Sequence, residues 1–135
     1  MNEVIARELE ILWSDFSVNT VEQKLEAIER LKSVSTKDDL PQLITALKSE
    51  KNDFWTRELL SEPISELGGS KYLIDLFEAF QKNFDEGHDN DSFSLNLTEI
   101  AYSEPVACKE KLLKQLNSAE FKHRNHAEWL LGFCE

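Results

Sequence analysis

Cysteine, proline and glycine are scarce in this sequence, with two, three and four occurrences among its 135 residues. This composition argues against a disordered chain or a flexible linker. No apolar run approaches the ~18 residues of a membrane-spanning helix. The opening MNEVIARELEILW also lacks the basic, apolar and small-residue order of a signal peptide. We therefore expect one folded domain, residues 1–135, that is cytoplasmic and does not enter a membrane.

The two cysteines, Cys108 and Cys134, lie far apart in the sequence and have neither metal-binding nor redox-motif spacing. Disulfides occur mainly in exported proteins. Because no export signal is evident, we expect both thiols to be free and buried or half-buried.

An acidic segment over residues 85–91 has the composition of a calcium-binding loop. Counted from Asp89, however, its sixth position is Ser94 instead of glycine and its twelfth is Ile100 instead of glutamate. We expect a solvated turn between two helices, and no metal.

His123 and His126 are three residues apart, a spacing at which helices place metal ligands. They have no third ligand nearby in the sequence, and Arg124 between them would oppose a cation. A pair of surface histidines is the better interpretation.

Motifs of catalysis are also missing, since the sequence has no glycine-rich phosphate loop, no GxSxG turn and no HExxH pair. Neighbouring carboxylates are common, but chance produces them in a chain with 26 acidic residues. We expect no catalytic residue and no cofactor, and hence a protein that is not an enzyme.

Negative charge is the most distinctive property that is present. The net charge is −11, and residues 38–106 carry fifteen acids against five bases, a net −10. Such a field repels nucleic-acid phosphates and speeds the encounter with a basic protein. We expect a basic protein partner, no direct contact with nucleic acid, and a monomer when free.

Residues 40–69 contain the clearest helical periodicity. Leu40, Leu43, Ile44 and Leu47 share one helical face. After a polar turn, Asp53 is a suitable N-cap for a second helix that ends at the two glycines of positions 68 and 69. Asn19 or Thr20 is expected to cap the helix over residues 21–34. The second helix of the 40–69 segment contains Pro63, which is expected to kink it.

The apolar pattern of this helix pair recurs 33 residues later, and its first motif recurs again after a further 36. The recurring motifs are Leu43-Ile44-x-x-Leu47, Leu76-Phe77-x-x-Phe80 and Leu112-Leu113-x-x-Leu116, together with Leu60-x3-Ile64-x2-Leu67 and Phe93-x3-Leu97-x2-Ile100. In these positions the chain resembles HEAT-repeat α-solenoids, whose units are helix pairs of about 40 residues.

The resemblance implies an all-α, right-handed solenoid of three to four antiparallel helix pairs. The pairs are expected at about 2–34, 38–68, 71–103 and 107–134, with the first helix over 2–16 and the last over 121–134. Six residues are expected in the core: Leu60, Ile64, Phe77, Phe80, Leu97 and Leu113. Over residues 92–102, Phe93, Leu95 and Leu97 also alternate as in a strand, but the repeat register favours a helix.

Acidic residues follow a regular spacing on the second helix of the 40–69 segment. Glu58, Glu62 and Glu66 stand at i, i+4 and i+8, with Glu58 and Ser65 opposite the apolar arc. The 33-residue repeat then brings Asp91 beside Glu58, and Glu99 beside Glu66. Either this is an ordinary solvated face or it is kept acidic for a cationic partner.

Trp55, at the start of the same helix, is a candidate aromatic anchor for such a partner. Small, acidic, helical, non-enzymatic proteins of this kind resemble the immunity proteins of bacterial toxin systems, including contact-dependent inhibition. That resemblance implies a basic toxin domain, of nuclease type, as the partner. The alternatives are a HEAT-type scaffold or regulatory adaptor that binds a peptide or subunit and, less favoured, a remnant of a HEAT-like glycosylase or lyase.

Overall fold

The computed structural model describes residues 1–134, and Glu135 lies outside the described residues. The described chain forms helices without any strand, which confirms the all-α prediction and the helical state of residues 93–97. The α-helices are α1 (Glu3–Trp13), α2 (Val21–Val34), α3 (Leu40–Leu47), α4 (Phe54–Gly68), α5 (Leu73–Asp85), α6 (Asp91–Ser103), α7 (Pro105–Leu116) and α8 (Arg124–Leu131).

Local side-chain chemistry explains where several helices begin and end. The Thr20 hydroxyl accepts the backbone N–H of Gln23 while the Gln23 side chain accepts that of Thr20, a capping box at the start of α2. The Asp53 carboxylate accepts the Thr56 N–H at the start of α4. At the other end of α4, Gly69 has a φ of 55°, a conformation that glycine adopts readily. The predicted caps at Thr20 and Asp53 and the glycine stop are confirmed.

Helices pack against their sequence neighbours and also against helices two positions away. α1 packs on α2, α3 on α4, and α7 on α8, while α2, α4, α6 and α8 touch in that order. Lys48, just after α3, lies 2.6 Å from Asp75 of α5, and the Asn2 N–H donates to Gln42 of α3. α4 and α6 therefore lie side by side in the middle of the even-numbered series.

The core lies between these helices and contains five of the six residues predicted for it: Leu60, Ile64, Phe77, Phe80 and Leu97. The sixth prediction is wrong, because Leu113 is 43% exposed whereas Leu112 is fully buried. Cys108 and Leu112, four residues apart, form the buried row of α7. Leu113 lies about 100° further round the helix.

The first helix is shorter than the predicted range of 2–16, and several apolar residues near the N-terminus are exposed. α1 ends at Trp13, so that Phe16 lies in an exposed loop. Leu25 and Val34 of α2 are exposed as well, since α2 packs mainly on α1 and buries one narrow row.

Both cysteines are free and buried, as predicted. Burial, with a smaller contribution from the neighbouring Cys134 thiol, raises the pKa of Cys108 to about 12. The thiol of Cys108 therefore stays protonated at neutral pH. Between residues 1 and 134, no helix combines the length and the apolar character that spanning a membrane requires.

Candidate functional site

Part of the polar side of the helix α4 is buried by α6. Ser61 and Ser65 are buried, and the Asn96 amide of α6 donates to the Ser61 hydroxyl at 2.8 Å. Ser65 was predicted to point away from the core, and this is wrong because α6 packs against that side. Small hydroxyl side chains allow the two helices to approach closely.

Glu58 is half-buried at the junction of α4 and α6. Its carboxylate accepts the backbone N–H of Phe93 at 3.3 Å, in the first turn of α6, where helix N–H groups lack intrahelical partners. Burial raises the pKa of Glu58, and the nearby Asp91 carboxylate raises it further. The predicted proximity of Glu58 and Asp91 is therefore observed, but Glu58 also has a structural contact that was not anticipated.

Of the predicted acidic row Glu58, Glu62 and Glu66, only Glu62 forms an ion pair among the described residues. Its carboxylate lies 2.6 Å from Lys32 Nζ of α2. This hydrogen bond is the largest cause of the raised pKa of Lys32. Glu62 thus joins two helices in addition to lining the face.

Glu66 and Glu99 are exposed and line one cavity of about 250 Å³ between α4 and α6, as the repeat spacing predicts. Among the described residues, no lysine, arginine or histidine forms an ion pair with Glu58, Glu66, Asp91 or Glu99. These four carboxylates therefore lack an ion-pair partner among the described residues, although Glu58 accepts a backbone hydrogen bond.

Glu104 is a further carboxylate at this cavity that the sequence reasoning missed. It accepts a hydrogen bond from the Ser70 hydroxyl at 3.0 Å. A side chain at Gly69 would displace the Glu104 carboxylate, and the φ of 55° would strain any residue other than glycine there. The signal in the sequence is the pair of glycines at positions 68 and 69, which permits this close approach.

Trp55 is half-buried and lies nearly parallel to Phe16, with ring centroids 6.2 Å apart. It lines a second cavity of about 280 Å³, together with Glu58, Glu62 and Leu95 among others. Asn96 lines both cavities, which places them end to end along α4 and α6. We call the surface formed by Trp55, Glu58, Glu62, Glu66, Asp91 and Glu99 the acidic face.

Two exposed residues of α6 were also missed, Leu95 at 65% and Tyr102 at 60% exposure. A signal for Leu95 existed, because a helix that buries Phe93 and Leu97 must turn Leu95 away from the core.

Arg57, the residue before Glu58, is almost completely buried and donates four side-chain hydrogen bonds. Its guanidinium contacts both carboxylate oxygens of Glu86 at 2.7 and 3.0 Å, and it donates to the Asn83 side chain and the Asn52 carbonyl. Arg57 lowers the pKa of Glu86.

The acidic segment at 85–91 is a largely exposed turn between α5 and α6, as predicted, but it also makes contacts that were not anticipated. Besides the pairing of Glu86, Asn90 is buried and the His88 ring stacks on Phe54 with centroids 3.7 Å apart. Five of its seven residues are nevertheless exposed, so the segment is a solvated turn that these contacts attach to α4 and α5.

The histidines of the last helix pair also differ from the prediction of a surface pair. His123 and His126 are half-buried against Phe77, and His126 lies 2.7 Å from the Gln81 side-chain oxygen. Burial lowers the pKa of both histidines. In the described part of the chain, no group of three or more His, Cys, Asp or Glu side chains is arranged to hold a metal ion.

No protein-family model matches the chain, and comparisons with curated proteins and with solved structures give no significant similarity. Any functional assignment therefore rests on the surface of the protein itself.

Proposed function

We propose that this protein is an immunity protein: a non-enzymatic, cytoplasmic inhibitor that binds a basic bacterial toxin domain, of nuclease type, through its acidic face. The observation that carries the proposal is the set of four unpaired carboxylates, Glu58, Glu66, Asp91 and Glu99, aligned across two neighbouring helices. Such carboxylates repel one another in the free protein, and a cationic partner relieves that repulsion.

The proposed architecture behind this face is a right-handed, HEAT-like solenoid. The serial contacts of α2, α4, α6 and α8 support it, since solenoids stack equivalent helices in chain order. The net charge of −10 over residues 38–106 supports a basic partner and disfavours direct contact with nucleic acid. A net negative charge of this size also favours a monomer before the partner binds.

Co-expression tests the proposal. The C-terminal domain encoded by the gene directly upstream is expressed in cells, alone and together with this chain. We expect the domain alone to arrest growth and the wild-type chain to restore it. The double variant Glu66→Lys, Glu99→Lys should restore growth poorly, whereas the matched variant Glu10→Lys, Glu50→Lys, on exposed residues outside the acidic face, should act like wild type. Growth arrest that the wild-type chain does not relieve would refute the proposal.

A second candidate is a HEAT-type adaptor that binds a peptide or subunit without inhibiting it. An apolar cavity of about 570 Å³ between α1 and α3, lined by Leu9, Trp13 and Pro41 among others, favours this candidate. Its volume falls in the range of ordinary ligand sites. An upstream gene that encodes no toxic domain would favour the adaptor.

A further inference from the structure

The helix α6 has two apolar rows, of which only one is buried. Phe93, Leu97 and Ile100 fill the core. On the other side, Leu95 and Tyr102 are 65% and 60% exposed. A helix that contributes one stripe to a core normally presents polar residues elsewhere.

Glu99 lies between Leu95 and Tyr102 on the exposed side, because spacings of four and seven residues fall on one helical face. We call Leu95, Glu99 and Tyr102 the α6 stripe. Its two apolar members stand two turns apart, about 10 Å along the axis. The carboxylate between them has no ion-pair partner among residues 1–134.

Apolar side chains of α4 and of the segment after α8 extend the stripe at its two ends. Leu95 shares its cavity with Trp55 and Leu59 of α4. The Tyr102 ring meets Phe133 edge-on, with centroids 6.1 Å apart. The exposed Leu95 and Tyr102 therefore adjoin half-buried apolar side chains of α4 and of the segment after α8, and apolar patches mark interaction sites.

The charges around this patch indicate the kind of partner that would fit it. Asp91 and Glu99 on α6 and Glu66 on α4 are exposed carboxylates beside the apolar side chains. A wholly apolar partner would leave these carboxylates desolvated and unpaired, whereas a partner with cations flanking its apolar row would pair them.

We propose that the α6 stripe is the docking surface for a basic amphipathic helix of the protein partner, an inference that rests on the proposed function. A partner helix repeats its apolar side chains at i, i+4 and i+7, which matches the two-turn spacing of Leu95 and Tyr102. Lysines or arginines beside that row pair with Glu66, Asp91 and Glu99. The apolar contacts slow dissociation, and the carboxylates speed association.

Two synthetic peptides serve as probes for this surface. The first is a Leu/Lys peptide of about 18 residues, long enough for several turns, with leucines on one helical face. The second has the same composition and charge in an order that places no leucine row on a helix. Affinity for the full chain is measured by titration calorimetry, and circular dichroism confirms that each protein variant is folded.

The wild-type chain should bind the amphipathic peptide at least about tenfold more tightly than the scrambled one. The variant Leu95→Ser, Tyr102→Ser should lose this preference and keep the weaker, charge-driven binding. The matched control Val106→Ser, Leu113→Ser alters two exposed apolar residues of α7 and should retain the preference.

Equal affinity for both peptides, or no binding of either, overturns the inference. Full restoration of growth by Leu95→Ser, Tyr102→Ser in the co-expression assay overturns it too, while leaving the proposed function intact. Failure of the wild-type chain to restore growth refutes the proposed function, whatever the peptides do.

Discussion

Arg57 and Glu58 are consecutive residues of α4, but only the charge of Arg57 is paired within the fold. Arg57 is 2% exposed, and its guanidinium is bonded to Glu86, Asn83 and the Asn52 carbonyl. Glu58 is half-buried without any cation in ion-pair contact among the described residues.

The pKa directions express the same contrast. Arg57 lowers the pKa of Glu86, so that the ionised carboxylate stabilises the fold. Burial raises the pKa of Glu58, so that its ionised form opposes the fold. The Arg57 side of α4 holds loops in place, whereas the Glu58 side carries charge that folding does not need. Such uncompensated charge is what a binding surface requires.

The largest expected effect is on the Arg57 side. Arg57→Leu leaves the buried Asn83 side-chain oxygen and Asn52 carbonyl without this donor, which should lower the free energy of unfolding by about 2–4 kcal/mol. Urea denaturation measures the change. The exposed Arg7 is the control, where substitution by leucine should change stability by less than about 0.5 kcal/mol. Equal effects at both sites would remove the contrast.

Glu86→Gln should have the next largest effect, a loss of about 1–2 kcal/mol at pH 7, because Arg57 then lacks its anionic partner. The pKa of Glu86 is lowered from its usual 4.5, so wild type should lose this contribution as the pH falls below 4.5 and through the folded-state pKa. The difference between variant and wild type should therefore shrink in acid. A constant difference from pH 7 to pH 3 would contradict the pairing.

Glu58→Gln should have the smallest effect, leaving the free energy of unfolding at pH 7 within about 0.5 kcal/mol of wild type or slightly above it. Glutamine still accepts the Phe93 N–H and removes the repulsion from Asp91. Because the folded-state pKa is raised above 4.5, wild type should lose stability as the pH rises from 4.5 through that pKa, and the variant should not. A loss above about 1 kcal/mol at pH 7 would show that the Glu58 charge holds the fold.

Helical periodicity predicted the helices well, but it did not predict every side on which a helix is buried. The register of 33 residues correctly brought Glu58 near Asp91 and Glu66 near Glu99, because repeats place equivalent positions side by side. Periodicity identifies one buried row per helix, however, and Ser61 lies in a second row that α6 covers. Nothing in a single sequence indicates which polar side a later helix will cover.

Errors of one residue had a similar cause. The motif shift of 36 residues aligned Leu112 and Leu113 with a preceding pair, but periodicity alone did not decide which leucine faces the core. The partners of Arg57 were also beyond reach, since Asn52 and Glu86 lie in turns that carry no periodic pattern and Asn83 is a polar residue of α5.

The acidic face is tested most directly by the association rate of the upstream-encoded domain, measured by stopped-flow fluorescence at about 0.05 M and 0.5 M salt, where the Debye length falls from about 14 to 4 Å. Wild type and Glu10→Lys, Glu50→Lys should associate rapidly at low salt and more slowly at high salt. Glu66→Lys, Glu99→Lys should associate at least about tenfold more slowly than wild type at low salt and nearly equally at high salt. An unchanged low-salt rate for Glu66→Lys, Glu99→Lys would contradict the account and place the interface elsewhere on the molecule.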